Sequence, residues 1–146
     1  MEKGSKIKPT RIDTSSPNIK PSQINETHKV SFNFSRLHCK ESKFYFNDRE
    51  TPYFLKLIER LKCISEMTRK EMTVVNSNSL RCHRIDFVKD KVSENTFGLK
   101  NQDIEDDAWQ FQLTSNEHGR VHGYFILNVF YVVWLDPNHE LYPGQK

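Results

Sequence analysis

Hydrophobic residues recur with two different periods along this chain. Val30, Phe32 and Phe34 alternate with Ser31, Asn33 and Ser35, and Phe44 and Phe46 alternate nearby. Period two marks a half-buried strand, so the spacing predicts a strand over 30–35, with a short extension or second segment at Phe44. The period changes after Thr51-Pro52, which reads as an N-cap followed by proline at the first helical position. Phe54, Leu57, Ile58, Leu61 and Ile64 then share one helical face, with Lys56, Glu59, Arg60 and Lys62 opposite. Thr68 and Glu71 have the spacing of a capping box, which predicts a second helix of about two turns ending near Asn76. Residues 76–107 show no strong period, and a short strand around Arg84 to Val88 is the most the pattern supports.

Period two returns at the end of the chain. Trp109, Phe111 and Leu113 alternate with Gln110, Gln112 and Thr114, and residues 115–119 read as a turn. Two further strands, Arg120 to Ile126 and Val129 to Leu135, flank a tight connection at Leu127-Asn128. The last strand is apolar on both faces. Phe130, Val132 and Trp134 take one, and Val129, Tyr131, Val133 and Leu135 the other, as expected of a central strand covered on both sides. Asp136-Pro137-Asn138 ends it, because proline cannot continue a ladder. The expected fold is therefore α+β: strand–helix–helix, then three antiparallel strands, forming one domain over residues 29–146. Residues 1–28 hold three of the six prolines and only isolated isoleucines, so they read as a flexible polar tail.

Composition narrows the class. The chain has 146 residues, 36% of them hydrophobic, and 12% are aromatic. Its longest apolar run, Tyr124 to Leu135, is too short to span a bilayer, and the N-terminus has no apolar stretch of a signal peptide. No membrane is expected, and the three unpaired cysteines fit a cytoplasmic setting. Each thiol reads as a small buried or half-buried residue rather than a metal ligand, since none has paired spacing. The net charge of +3 hides a gradient. Residues 30–100 carry fourteen Lys/Arg against nine Asp/Glu, whereas residues 101–146 carry two against seven. The basic residues Arg60, Lys62, Arg69 and Lys70 lie close together, and His83-Arg84 forms a second polar pair in the long loop. They are the candidate nucleic-acid contacts, against the alternative of an ordinary solvated helix face.

The strand Arg120 to Tyr124 carries the most unusual chemistry. Alternation puts Arg120, His122 and Tyr124 on one face, about 7 Å apart. A guanidinium, an imidazole and a phenol so placed can hold a phosphate, move a proton and stack a base. The competing reading is the solvated face of an antiparallel sheet. Gly123 within the strand suggests close approach by another segment or a ligand. His139 follows the last strand and, in a hairpin pairing Arg120 near Leu135, returns to the Arg120 end. His118, two residues before Arg120, is expected at the same end. Asp136 and His139 admit two readings, a catalytic pair or turn chemistry, of which the turn is favoured.

The element order, the arginine that starts the penultimate strand and the very apolar last strand together resemble the RelE/ParE toxin superfamily over residues 30–142. The segments Arg120 to Tyr124 and Phe130 to His139 also look like the ends of small proteins of bacterial mobile elements. The resemblance implies two helices packed on one face of a twisted sheet, with the other face receiving RNA on the ribosome or a protein target. The matching positions are Arg120 for the family's sheet arginine and Tyr124 and His122 for its neighbours. The reading built on this is metal-independent RNA cleavage, with Arg120 clamping the phosphate, His122 or His139 exchanging protons and Tyr124 stacking or orienting a base as the catalytic residues. RNA or the ribosome and an antitoxin would be its partners, and it would need no cofactor. The alternative on the same fold is a non-catalytic protein-interaction module of a mobile element or defence system. The acidic last third, which departs from the several sheet cations usual in ribonucleases of that family, speaks for the alternative.

Overall fold

The alternating segments assemble into an open mixed sheet of five strands with few helices, an α+β fold. The computed structural model describes residues 28–40, 42–99, 107–115 and 117–143. The expected tail over 1–28 lies, but for His28, outside the described residues. The strands are β1 (Ser31–Asn33), β2 (His83–Arg84), β3 (Ala108–Gln112), β4 (Arg120–Ile126) and β5 (Val129–Asp136), in the spatial order β1-β5-β4-β3-β2. Strands β2 to β5 pair antiparallel, and β1 lies parallel to β5 at the far edge. The helical elements are α1 (Thr51–Ser65), a π-helical segment (Glu71–Val75) and α2 (Ser77–Leu80).

Helix α1 covers one face of the sheet. Its Tyr53, Leu57, Leu61 and Ile64 are buried against Phe111, Val121, Phe130 and Val132. The buried stripe is rotated from the expected one: Ile58 is 61% exposed and Tyr53 takes the core position. The N-cap is Glu50 rather than Thr51, with Pro52 in the first turn. The capping box does form, with Glu71 N–H donating to Thr68 Oγ1 and Thr68 N–H donating to Glu71 Oε1. The segment it opens is π-helical rather than a two-turn α-helix. Asn76 N–H reaches back to the Glu71 carbonyl, and the β-branched run Thr73-Val74-Val75, crowded in an α-helix, sits in this wider turn.

The other face of the sheet is also covered, here by irregular chain. Ile85, Phe87 and Phe97 from the long loop, with Phe44 and Leu141, pack over Ala108, Tyr124, Val133 and Trp134. Phe44 stacks on Trp134 at 4.3 Å. The strand expected at Arg84 to Val88 stops after two residues, because the Asp86 carboxylate accepts from Val88 and Lys89 N–H and turns the chain. Phe44 lies in a turn and Phe46 in irregular chain, and neither is in a strand.

One irregularity decides which side chains face which layer. The β4–β5 ladder runs from Ile126↔Val129 to Gly123↔Val132, then skips Val133 and resumes at His122↔Trp134 and Arg120↔Asp136. This bulge inverts the faces beyond it. Trp134 therefore leaves the helix face, Leu135 joins it, and Arg120 stands opposite Asp136 rather than Leu135. Gly123 sits at the bulge because a Cβ there would collide with the Tyr131 carbonyl and the Phe130 ring. Gly119, at φ +72°, lets the start of β4 pass the Asp136 carbonyl in the same way.

Candidate active site

Strand β4 is not a solvated face. Arg120 is 8% exposed, and His122 is wholly buried. Both turn away from α1, and with Asp136 and His139 they line one pocket of about 310 Å³ at the end of the sheet. His83, Gln110 and Tyr142 line it from the β2 side, and Ser77, Asn78 and Arg81 from α2 and its C-cap. The cross-strand pairs explain the convergence. His83 stands opposite Gln110, Gln110 opposite His122, and Arg120 opposite Asp136, so all five share one face.

At the floor lies a buried pair. His122 Nε2 is 2.9 Å from Asp136 Oδ2, and the two side chains are 0% and 1% exposed. Asp136 also accepts from Glu140 N–H through Oδ1 and from Leu141 N–H through Oδ2. It thus performs the expected turn role, and the imidazole it bonds is His122. Burial acts to raise the Asp136 carboxyl, but the His122 bond and these two backbone donors outweigh it, and the group lies below the ordinary carboxylate value. Burial holds His122 below the usual imidazole value despite the carboxylate. The pair is therefore a neutral imidazole donating through Nε2 to a carboxylate, with Nδ1 left as an acceptor. That Nδ1 is buried and has no hydrogen-bond partner among the described residues.

The wall above this floor is cationic. Arg120 donates to the Gly119 carbonyl at 3.3 Å. Burial and the nearby Arg81 charge lower its pKa from the ordinary value, and Asp136 opposes them. Arg120 thus stands opposite a carboxylate whose lone pairs already serve His122, Glu140 and Leu141, and a second guanidinium, Arg81, lines the same pocket. The surplus positive charge suits an anion, and a planar guanidinium suits a phosphate. His139 is half-buried on the same wall and holds a left-handed backbone at φ 56°, as does Arg81 at φ 45°. Two non-glycine residues in this sparsely populated region flank the pocket. Ties from the long loop hold the corner, with Ser93 Oγ donating to the Glu140 carbonyl and the Tyr142 hydroxyl to Asp90.

The remaining candidates are placed elsewhere. Tyr124 does not line the pocket; it is 1% exposed, stacks on Tyr131 at 5.0 Å, and lies against Phe97. His118 sits beside Tyr53 near the start of α1, with a ring distance of 5.8 Å. Arg69 is a structural residue. It donates to the Leu127 carbonyl, pairs with Asp107 at 2.6 Å and lies over the Phe125 ring. Arg60 donates to the Leu113 carbonyl, Lys62 pairs with Glu66 on the exposed side of α1, and Lys70 is exposed. Arg84 lies over Trp109 and near Asp107, whereas His83 joins the pocket. Cys39 and Cys63 are exposed, contrary to the burial expected of them, and only Cys82 is buried, its thiol pushed up to about 12 by burial.

Sequence reasoning missed Arg81 and Gln110. Nothing local marks Arg81, whose place comes from the α2 C-cap. Gln110 left a trace: polar residues alternating on a strand beside β4 must meet its polar face. Among the described residues no group of three or more His, Cys, Asp or Glu is placed to hold a metal ion, and no helix is long and apolar enough to cross a membrane. No family model matches the chain, and neither curated proteins nor solved structures give a significant match.

Proposed function

We propose that this chain is a RelE-like toxin, or a protein derived from one, that acts on RNA in the cytoplasm by phosphodiester cleavage without a metal. The observation that supports this is the joint presence of Arg120, Arg81 and His139 around one concave pocket above the buried His122–Asp136 hydrogen bond. Arg120, with Arg81 beside it, holds the non-bridging oxygens of the scissile phosphate. His139 takes the proton of the adjacent 2′-hydroxyl. The 2′-oxygen bonds phosphorus, the bond to the 5′-oxygen breaks, and the proton passes to the leaving 5′-oxygen through the same ring or solvent. The products are a 2′,3′-cyclic phosphate and a 5′-hydroxyl. His122 and Asp136 position the corner that carries His139. Tyr124 has no part in this scheme. Lys62, Lys70 and Arg84 are the exposed cations that meet the RNA backbone or the ribosome, and an antitoxin would act by covering the pocket.

The test is cleavage of a labelled RNA by the purified protein, with the product ends identified. His139→Asn is the informative variant, because asparagine tolerates the left-handed backbone and removes only the imidazole. It should lose about a hundredfold or more in rate. Arg120→Lys keeps the charge but not the fork and should also lose activity. Intact RNA with the wild-type protein, or an unimpaired His139→Asn, would overturn the reading. The second reading, a non-catalytic interaction module, is favoured by the exposed Leu55 and Ile58 on α1. It expects no cleavage, and a protein complex disrupted by Ile58→Lys.

A further inference from the structure

The pocket contains two buried acceptors that have no donor among the described residues. The orientation of the first is set by a backbone carbonyl. His83 Nδ1 lies 2.8 Å from the Arg84 carbonyl, which can only accept, so Nδ1 carries the ring proton. In the neutral ring Nε2 is then a lone pair, and it lies 2.7 Å from Gln110 Nε2, which donates to it. The Gln110 amide is thereby oriented, and its Oε1 is left as a buried acceptor without a partner among the described residues. The second acceptor is His122 Nδ1, whose lone pair results from the donation of Nε2 to Asp136.

Gln110 and His122 are directly opposite on β3 and β4, and both line the pocket. Side chains so paired share one face, with Cβ atoms about 4.5–5.5 Å apart. Two neighbouring acceptors without a donor are complementary to one group that carries two hydrogens on nitrogen. A cationic amine is disfavoured, because Arg120 and Arg81 already make this wall positive. A neutral amino group attached to an anionic molecule satisfies both demands.

Resting on the RNA reading of the site, we infer that Gln110 and His122 read the base beside the scissile phosphate through its exocyclic amino group. Adenine, cytosine and guanine each carry such a group. Uracil does not, and it would set a carbonyl oxygen against the two lone pairs. Gln110 is then a specificity-determining residue. Its unpaired oxygen makes the pocket select against uracil, since leaving a buried acceptor unmet costs about tenfold or more in an equilibrium or rate.

The experiment uses the full chain and short labelled RNAs that differ in one base at the cleaved position, with adenosine, cytidine, guanosine or uridine there. Two single-group deletions, purine riboside for adenosine and inosine for guanosine, remove only the amino group. The wild-type protein should cleave at least one amino-bearing base about tenfold or more faster than uridine, and deleting that amino group should cost a similar factor. Gln110→Met, close in shape but without the acceptor, should bring the rates at all bases within about threefold, chiefly through KM. Equal cleavage at uridine, indifference to the deleted amino group, or a preference retained in Gln110→Met each overturns the inference. The base-analogue comparison on the wild-type protein stands even if that variant does not fold. Cleavage without base preference refutes base reading alone. Absence of cleavage removes the RNA reading and this inference together.

Discussion

Replacing Asp136 by alanine should unfold the protein more readily than any surface change, and the structure sets the size of the effect. The carboxylate is 1% exposed and accepts from His122 Nε2, Glu140 N–H and Leu141 N–H. A hydrogen bond to a charged group is worth about 1.5–3 kcal/mol, and each buried donor left orphaned costs about 1–3 kcal/mol. These contributions overlap, so the expected loss is about 4 kcal/mol, a large fraction of a typical domain's stability. Urea unfolding of the variant at pH 7, compared at equal slope, measures it. Asp136→Asn keeps one acceptor oxygen and should lose about half as much. A loss under about 1 kcal/mol in Asp136→Ala would show that the pair does not hold the corner.

The same pair fixes the sign of the acid response. The folded His122 ring has a lowered pKa, so below the unfolded value of about 6.5 the unfolded chain binds a proton that the folded chain refuses. Stability should then fall with decreasing pH from about 6.5, by up to about 1.4 kcal/mol per pH unit from this group, until its folded pKa is reached. Asp136 acts in a lower window. Its folded pKa is depressed, so its contribution is present above the unfolded value of about 3.9 and is lost as pH falls through the folded one. A wild-type stability that stays flat between pH 7 and 5 contradicts a buried neutral His122, and His122→Asn should flatten the upper part of the curve.

The packing sets three more expected outcomes. Gly123→Ala places a Cβ against the Tyr131 carbonyl and the Phe130 ring at the bulge, and thermal melting should show a loss of about 2 kcal/mol or more, with pocket function impaired. Leu57→Ala should cost about 2–4 kcal/mol in urea unfolding, whereas Ile58→Ala should cost under about 1 kcal/mol; equal losses would contradict the rotated stripe of α1. A thiol reagent should modify Cys39 and Cys63 readily in the native protein and Cys82 only on unfolding, with the equivalents counted by absorbance.

Short-range periodicity determined what could be read from the chain alone. Alternation in residues 109–114 and 120–126 located β3 and β4, because side chains on a strand must alternate between core and polar layers wherever the ladder is regular. The capping box at Thr68 and Glu71 was visible because it needs only two side chains three residues apart. The approach of Arg120 to the corner after β5 was implied by the two-residue turn at Leu127-Asn128.

Tertiary structure decided the rest. No local pattern marks the skipped Val133, since a bulge is chosen by how two strands fit around Gly123 rather than by either strand alone. Yet that single skipped residue turns Asp136 from the helix layer to the His122 layer, and the site depends on it. The aperiodic loop over 85–99 gave no element to recognise, but its Phe87 and Phe97 cover the sheet face, with Phe97 packed against Tyr124. Periodicity reports which residues share a face. Which face is covered, and by what, depends on contacts between segments far apart in the chain, and these exist only once the whole domain has packed.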